Sequence, residues 1–508
     1  MNRTKLINKV KKYFSPLYPW LYLLYTLLLF TGYGIHFTNV FYLALNLIIA
    51  GIGLFVLMLI LGKFTSDRAK IACITLVFEV IYFNYKAFED WALTLPASDI
   101  LFKLHLPVLL TIAVLIFFSI KVIKFSKPIT AFTKVATFVV IILVLDSLYV
   151  VIDARAKDYS LRNRVENSVT EYQSEDKPDI YYIIYDRYTG SKALKNLYGY
   201  DNSAFTDELK KRGFYYADKS SSNYFGTLHS LTSIMNMDFN DSKASNDLFK
   251  DSDLLAMLDN NRVTFTLQKM GYSTYNVGSW WTDTNRNPNM ISPKQMAPMT
   301  LMDYTTYYLL RGTLAEPLKK PITNYQMKHV FNYRVKSLDE IKNNPSPKFV
   351  FMHSLSSHTP FVYDAKCNIK SDISQESVEI YLDNLQCVNQ HILQIVDTIL
   401  NKPGDKPVII LQSDEGHEIT QALPTTTDAP DAALLEKFST LSTFYFPDQK
   451  YDQLYPEISS VNTFRVVLNK LFNANIALLP DKSYVSGDQF EINDTKEVTN
   501  RISELIRK

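Results

Sequence analysis

The sequence predicts an N-terminal helical membrane bundle plus an α/β domain, whose mostly parallel sheet is covered by helices. Long apolar stretches fill residues 1–152, whereas almost everything after residue 153 has the composition of a soluble domain. In that second part, short apolar runs rich in β-branched and aromatic residues alternate with helical patterns. This alternation is typical of buried parallel strands and the helices that connect them.

The N-terminal part contains five apolar stretches, each near the length of about 20 residues that a bilayer requires. They cover residues 17–37, 41–62, 69–88, 105–125 and 130–152. The third stretch is the least apolar because it includes Glu79. We interpret it as a weakly hydrophobic span, with a polar contact inside the bundle as the alternative.

Charged residues alternate between the loops as the positive-inside rule describes. Lysine and arginine are frequent before the first span and after the second and fourth, whereas Glu89, Asp90 and Asp99 follow the third. The rule predicts a cytoplasmic N-terminus, and an odd number of spans then places residues 153–508 outside the cytoplasm.

The bulk composition sets further limits. The net charge of +2 over 508 residues gives no reason to expect nucleic-acid binding. Two of the three cysteines, Cys367 and Cys387, fall in the external part, where disulfides persist. They form either one bridge or two unpaired thiols, and the sequence leaves both options open.

The sequence divides into four segments. These are a transmembrane domain (1–152), a charged juxtamembrane linker or exposed helix (153–177), an external α/β domain (178–490) and a charged C-terminal tail (491–508). We expect the tail to be a short helix, and we assign it no role.

Three apolar runs in the external part are predicted to be buried strands. They are DIYYIIYD (179–186), KFVFMHSL (348–355) and VIILQSD (408–414). Helical patterns lie around them at 203–213, 252–270, 374–401 and 461–473. Ligands of such sheets bind beyond the carboxyl ends of the strands, where Asp186, His353 and Asp414 occur. We therefore expect a functional site at this edge.

The third run ends in SDEGHE, residues 413–418, which places several ionisable groups directly after a buried strand. A polar loop is the ordinary explanation for such an ending. Carboxylates gathered at one edge would repel one another, however, and a bound cation removes that repulsion. The sequence therefore indicates a divalent cation site.

A second segment supplies a hydroxyl. Gly226 and Thr227 precede Leu228, Leu231 and Ile234, whose spacing predicts a helix. Thr227 would then lie at the N-terminus of the helix, where free N–H groups and the dipole favour anions. An ordinary N-cap threonine is the alternative.

Five stretches, in this order, resemble the membrane-anchored sulfatase-like hydrolases and transferases of the alkaline phosphatase superfamily. They begin PDIYYIIYDRY, GYDNSAFTDELKKRGFYY, HSLSSHTPFVYD, VIILQSDEG and YPEISSVNTFRVVLNK. Relatives include lipoteichoic acid synthases and lipid A phosphoethanolamine transferases. The resemblance covers roughly residues 178–488, and it implies an alkaline-phosphatase/sulfatase-like fold behind about five spans.

The resemblance implies a role for each matching residue. Asp186 matches the first metal-ligating acid, and Asp414 matches the aspartate of the family's usual Asp-His-Gly. Thr227 matches the threonine nucleophile, itself a metal ligand. His358, in SSHTPF, matches a histidine near the transferred phosphate, with a core or loop histidine as the alternative.

One position departs from the family. Glu415 stands where the family usually has histidine, so the implied ligands Asp186, Thr227, Asp414 and Glu415 are all oxygens. An all-oxygen set favours one Mn²⁺ or Mg²⁺ ion over Zn²⁺. His417 is a second candidate ligand that would instead supply a nitrogen, and a weakened, catalytically degenerate site is a third interpretation.

Other residues are candidates for substrate binding. Trp280, Trp281 and Arg286, in GSWWTDTNRNPN, are expected to line the pocket. His353 is a further candidate, although its side chain could instead point into the sheet.

The resemblance implies an enzyme of the bacterial cytoplasmic (inner) membrane. It would move a phospho-alcohol group, of phosphoglycerol or phosphoethanolamine type, from a membrane phospholipid donor to a surface glycan acceptor through a phospho-threonine. The alternatives are a phosphodiesterase or phosphatase that uses water, and a non-catalytic glycan-binding membrane protein. The formylglycine signature Cys-x-Pro-x-Arg is absent, as are a Gly-x-Ser-x-Gly elbow and a phosphate loop. The oligomeric state is not indicated.

Overall fold

The computed structural model consists of two compact units, which we describe separately. One comprises Met1–Lys157 with Leu301–Asn324, and the other Asp158–Thr300 with Tyr325–Lys508. The structure describes residues 16–507 except 34–39, 88–89, 91–105, 126, 241–252, 297–305, 307–309, 311–312, 314, 316–318, 402–403, 405, 421–422 and 488–494.

Each of the five apolar stretches contains a helix. The helices are α1 (Tyr18–Tyr33), α2 (Val40–Leu61), α3 (Arg68–Phe83), α4 (Leu106–Lys124) and α5 (Thr130–Ser168). Two of them, at Phe41–Leu61 and Thr130–Ser168, are long and apolar enough to cross a membrane. The count of five spans stays a prediction, as does the orientation, because the basic N-terminus and most of the acidic loop lie outside the described residues.

Helix α5 continues well beyond its apolar part. The predicted segment 153–177 is therefore helical as far as Ser168, in agreement with the exposed-helix option. Within the second unit, Leu161 and Val165 of α5 are buried against Met257 and Phe265. The predicted domain limits themselves stay predictions.

The second unit is built around a six-stranded sheet with the order β2-β6-β5-β1-β4-β3. The strands are β1 (Ile180–Tyr185), β2 (Tyr215–Tyr216), β3 (Ser273–Val277), β4 (Lys348–Ser354), β5 (Val408–Gln412) and β6 (Ser442–Tyr445). Strands β5, β1, β4 and β3 run parallel. Strand β6 pairs antiparallel with β5, and β2 pairs antiparallel with β6. A small hairpin follows, made of β7 (Tyr484–Ser486) and β8 (Thr495–Glu497).

The three strands predicted from sequence are neighbours at the centre of this sheet. Every residue of β1, β4 and β5 is buried, which explains their continuous apolar sequences. Alternate residues point to opposite cores: Tyr182 and Ile410 lie in one apolar cluster, and Ile183 and Ile409 in the other. The prediction of a mostly parallel sheet covered by helices is confirmed.

Helices cover both faces of the sheet. The α-helices that follow β1 in the chain are α6 (Ser191–Tyr198), α7 (Ser203–Lys211), α8 (Thr227–Asn236), α9 (Leu254–Asp259), α10 (Arg262–Lys269), α11 (Thr282–Asn285), α12 (Lys319–Lys342), α13 (Val378–Leu400), α14 (Asp431–Phe438), α15 (Thr463–Phe472) and α16 (Thr499–Arg507). The single helix expected over 252–270 is two helices, because the Asn261 side chain caps α10 by accepting from Thr264 N at 2.8 Å.

The two cysteines of the second unit form a bridge. Cys367 and Cys387 are disulfide-bonded, so the sequence option of two unpaired thiols is wrong. The bridge connects the loop after β4 to helix α13. Trp280, Val362 and Tyr363 pack beside it, which fixes one wall of the cleft described below.

The described part of the C-terminal tail contains strand β8 and then helix α16, which packs on the domain. Ile502 and Ile506 of α16 are buried in an apolar cluster with Leu434 and Phe438 of α14. The charged residues that dominate its sequence occupy the opposite, exposed side, which is typical of an amphipathic surface helix.

A buried ion pair joins β4 to the segment before β1. Lys348 Nζ lies 2.5 Å from Asp179 Oδ2, and Lys348 N donates to Asp179 Oδ1 at 3.0 Å. Lys348→Met leaves the buried carboxylate uncompensated, so we expect the free energy of unfolding to fall by about 3–5 kcal/mol. Urea denaturation of the detergent-solubilised protein measures this loss.

The matched control is Asp179→Asn combined with Lys348→Met. Because the double variant removes both charges, we expect it to regain at least about half of the lost stability. Equal losses in the single and the double variant would show that the ion pair does not carry the effect.

Candidate active site

Three ionisable side chains meet at the carboxyl edge of the central strands. Asp186 directly follows β1, His353 is the penultimate residue of β4, and Asp414 lies two residues after β5. All three are buried, and each presents one ligand atom within 4.8 Å of the others. The convergence expected from the sequence at Asp186, His353 and Asp414 is thus present in the structure.

The SDEGHE turn requires its glycine. A Cβ atom on Gly416 would lie 2.0 Å from the Glu436 carbonyl oxygen, and Gly416 N donates to Lys437 O at 2.7 Å. The turn therefore lies directly against the end of α14. This close approach brings Glu415 and the Lys437 side chain together.

Thr227 is the first residue of α8. The N-cap is Gly226, so Thr227 is not an N-cap threonine, and its partly exposed hydroxyl faces the cleft. Thr227 Oγ1 donates to Glu415 Oε1 at 3.5 Å. The hydroxyl therefore lies beside the acidic edge with the N-terminal N–H groups of α8 close by.

Two cations balance part of the negative charge. Lys437 Nζ lies 3.0 Å from Glu415 Oε1 and also pairs with Glu418. Arg187 Nε lies 3.4 Å from Glu415 Oε1, and Arg187 Nη1 pairs with Glu418. Asp186 and Asp414 stand outside these ion pairs.

The charge count fits a divalent cation. Asp186, Asp414, Glu415 and Glu418 carry four negative charges in the ionised state, against the two positive charges of Arg187 and Lys437. In addition, Asp186 Oδ1, Asp414 Oδ2 and His353 Nε2 are buried without a hydrogen-bond partner among the described residues. A cation of charge two would satisfy these atoms and balance the charge.

The directions of the pKa shifts also indicate that this edge favours a bound cation. Burial raises the pKa of Asp186 and that of Asp414, and the negative charge of Asp186 raises the pKa of Asp414 further. Burial, followed by the positive charge of Arg334, lowers the pKa of His353 to about 3. His353 is therefore neutral at pH 7, and Nε2 carries a lone pair in the tautomer whose proton is on Nδ1.

A cleft of about 220 Å³ opens in front of this edge. Its lining residues are Asp186, Arg187, Thr227, Leu228, Trp280, Trp281, Leu355 and His358. The His358 ring meets the Trp280 ring edge-on at 6.3 Å between centroids, and burial lowers the pKa of His358 to about 3.

Two predicted site residues lie elsewhere. Arg286 lines a separate small cavity with Asn261, Asn276 and Met290, and it is not among the residues that line the cleft. His417 is buried between the rings of Phe361 and Tyr381, and its Nδ1 accepts from Glu418 N at 2.9 Å. Neither Glu415 nor His417 belongs to the group that lies within 4.8 Å.

Sequence reasoning missed Arg187, Glu418, Lys437 and Thr284. Arg187 directly follows a proposed ligand and adopts a positive φ of 58°, which is uncommon for a residue other than glycine. Its position beside Asp186 is a signal that could have been used. Lys437 sits in an unremarkable helical sequence, and only the fold brings it to Glu415.

The sulfatase family model matches residues 178–467. No curated protein sequence matches the chain. Solved structures that are similar in fold include the C-terminal periplasmic domain of EcEptC from Escherichia coli in complex with zinc, at 13% identity and a TM-score of 0.42, over 65% of this chain and 97% of that chain.

Two further structures are similar. Lipooligosaccharide phosphoethanolamine transferase A (EptA) from Neisseria meningitidis, an integral membrane protein, is 14% identical, with 90% of this chain and 95% of that chain covered and a TM-score of 0.42. An alkaline phosphatase superfamily protein from Vibrio parahaemolyticus is 9% identical, with 65% and 81% covered and a TM-score of 0.38.

The family model covers more than half of the chain, and it spans the sheet and every residue of the acidic edge. The chain therefore belongs to the sulfatase family and is an enzyme of the alkaline phosphatase superfamily.

Proposed function

We propose that this membrane-anchored enzyme transfers a phospho-alcohol group from a membrane phospholipid to a surface glycan, through a covalent phosphoryl group on Thr227. The observation that carries the proposal is the position of the Thr227 hydroxyl. It is partly exposed in the cleft, at a helix N-terminus, beside the buried edge formed by Asp186 and Asp414.

The first half-reaction forms a bond between Thr227 Oγ and the phosphorus of the donor phosphodiester. The phosphorus–oxygen bond to diacylglycerol breaks, and the diacylglycerol oxygen gains a proton while Thr227 loses one. The second half-reaction forms a bond from a glycan hydroxyl oxygen to phosphorus and breaks the bond to Thr227 Oγ. The proton lost by the acceptor hydroxyl replaces the one that Thr227 lost.

Asp186 and Asp414 would hold the divalent cation next to the Thr227 hydroxyl. Such a cation, when bound, lowers the pKa of a hydroxyl and stabilises negative charge on phosphoryl oxygens. The donor set agrees with this role because one buried oxygen of each aspartate, Asp186 Oδ1 and Asp414 Oδ2, has no hydrogen-bond partner among the described residues.

Other cleft residues would orient the substrate. The N–H groups at the start of α8 and the Arg187 guanidinium lie where they can bind phosphoryl oxygens. His358 would contact the phosphate or the leaving oxygen. Trp280 and Trp281 present aromatic surface to the remainder of the head group.

The N-terminal helices would keep the enzyme beside its donor. A phospholipid does not easily leave the bilayer, so a membrane anchor increases the local concentration of donor at the cleft. We propose a cytoplasmic N-terminus in the bacterial cytoplasmic membrane and a cleft that faces outward, on the basis of the loop charges.

Replacing Thr227 tests the covalent step. We expect Thr227→Ala to lower turnover about 10³-fold or more, because the atom that bonds to phosphorus is gone. Thr227→Ser keeps a hydroxyl and should retain measurable turnover. Intact-protein mass spectrometry after incubation with phospholipid micelles, without acceptor, should show one added phospho-alcohol mass in wild type and none in Thr227→Ala.

Thr232→Val is the matched control on the same helix. The Thr232 hydroxyl donates to Leu254 O at 2.9 Å, away from the cleft, so this variant should still form the adduct. An adduct of equal yield on Thr227→Ala would contradict the proposal. Product analysis with and without added glycan then distinguishes transfer from hydrolysis. If water is the acceptor, the products are the same whether or not glycan is added.

Removing divalent cations should destabilise the protein. In the cation-free site, Asp186 and Asp414 either repel each other or take up a proton at their raised pKa, whereas a ligand at 100 times its Kd adds about 2.7 kcal/mol of stability. We expect a lower Tm in EDTA that is restored by excess Mn²⁺ or Zn²⁺. Thermal unfolding of the detergent-solubilised protein measures both values.

In Asp186→Asn combined with Asp414→Asn, the cation-dependent change in Tm should disappear. The same variant should melt no lower than the cation-free wild type, because it lacks the repulsion. If the double variant responds to the cations as wild type does, they bind elsewhere.

A further inference from the structure

His353 is placed and oriented like a metal ligand. It pairs with Ile184 in the parallel register of β1 and β4, so it lies at the same edge as Asp186. His353 Nε2 is 3.8 Å from Asp186 Oδ2, and Nε2 is buried without a hydrogen-bond partner among the described residues. Two donors that each lie about 2 Å from one ion are at most about 4 Å apart, so the observed separation allows both to bind the same cation.

The rest of the His353 residue is held in place. Its Nδ1 hydrogen-bonds Thr284 Oγ1 at 2.7 Å, and its carbonyl oxygen accepts from Arg334 Nη2 at 2.8 Å. Hydrogen bonding of one ring nitrogen fixes the ring so that the other nitrogen points at the cation. For Nε2 to bind the cation, Nδ1 must carry the ring proton and donate it to the Thr284 hydroxyl oxygen.

One oxygen of Glu415 is committed to other partners. Glu415 Oε1 lies 3.0 Å from Lys437 Nζ and 3.4 Å from Arg187 Nε, and both Glu415 and Lys437 are about 1% exposed. Glu415 Oε2 has no hydrogen-bond partner among the described residues, but Glu415 lies outside the group whose ligand atoms are within 4.8 Å of one another. Moving Glu415 to a cation would leave the buried Lys437 charge with one carboxylate fewer, which is costly in a low-dielectric site. Glu415 thus holds Lys437, Arg187 and the Thr227 hydroxyl in position.

We propose that His353 supplies the nitrogen ligand of the divalent cation, and that Glu415 is a positioning residue outside the ligand set. The nitrogen donor thus comes from strand β4 rather than from the residue after Asp414. This inference rests on the cation that the proposed function requires, and it replaces the sequence-based assignment of Glu415 and His417 as ligands.

Replacing Glu415 by His353 in the proposed ligand set changes which metals the site accepts. The expectation of Mn²⁺ or Mg²⁺ over Zn²⁺ assumed an all-oxygen set that included Glu415. A set of two carboxylates and one imidazole suits Zn²⁺ or Mn²⁺ better than Mg²⁺ or Ca²⁺, which prefer oxygen ligands alone. Mn²⁺ is the useful probe because it is paramagnetic and compatible with both ligand types.

Pulsed electron paramagnetic resonance tests the assignment directly. The full-length protein in detergent is stripped with EDTA and loaded with Mn²⁺ alone. We expect the electron-spin-echo modulation of a coordinated imidazole nitrogen in wild type and its loss in His353→Gln. Protein labelled with ¹⁵N-histidine should replace the ¹⁴N modulation with that of ¹⁵N. Metal titration should show Mn²⁺ affinity at least 10-fold lower in His353→Gln.

Glu415→Gln and His358→Gln are the matched controls. Both should retain the nitrogen modulation, and Glu415→Gln should bind Mn²⁺ within a few-fold of wild type. Thr284→Val keeps the ligand but removes its hydrogen-bond partner, so we expect a 10- to 100-fold loss of Mn²⁺ affinity. Thr284→Val also serves if His353→Gln fails to fold, because unchanged affinity in it would argue against the assignment.

Two results would overturn the inference. One is nitrogen modulation that survives in His353→Gln, and the other is a Glu415→Gln protein that binds Mn²⁺ as weakly as Asp186→Asn. Neither affects the Thr227 adduct, which is measured separately by mass spectrometry. A wild type that shows the modulation but forms no adduct would instead refute the proposed function and keep the ligand assignment.

Discussion

The site depends on one electrostatic constraint, which is the burial of Asp186 and Asp414 at the same edge of the sheet. Parallel strands β1 and β5 are neighbours, so the residues that follow them are brought together whatever their charge. Two ionised carboxylates in such a place repel each other unless a cation lies between them. The cleft, the helix N-terminus at Thr227 and the His353 ring are all arranged around the position that such an ion would take.

Charge is divided between two groups of residues at this edge. Glu415 and Glu418 are neutralised by Arg187 and Lys437, which belong to the protein itself. Asp186 and Asp414 lie outside these ion pairs, so they remain available to bind a cation from solution. Because the buried Lys437 of α14 pairs with Glu415, this acidic residue can follow Asp414 without becoming a third negatively charged ligand. The glycine contact between the SDEGHE turn and Glu436 keeps that lysine within reach.

The parts of the molecule that follow from local sequence were predictable. Continuous apolar runs identified β1, β4 and β5, and their ends located Asp186, His353 and Asp414. Strands β3 and β6 were missed because they are short and carry polar residues, such as the STYNV of β3. The partners of Glu415 could not be predicted, because Lys437 approaches it only through the packing of α14 on the turn. The disulfide was undecided because pairing depends on the distance between the two cysteines, and not on their number.

Helix α11 and the residue before it contribute both to the wall of the cleft and to the orientation of the His353 ring. Trp281, which precedes this helix, belongs to the wall of the cleft, and Thr284, within it, orients the ring of His353. Redesigning this short segment to change the wall of the cleft would therefore also disturb the ring of His353, the nitrogen ligand that we propose, unless the hydroxyl at position 284 is kept. The wall of the cleft and the orientation of the His353 ring thus depend on the same four residues, 281–284.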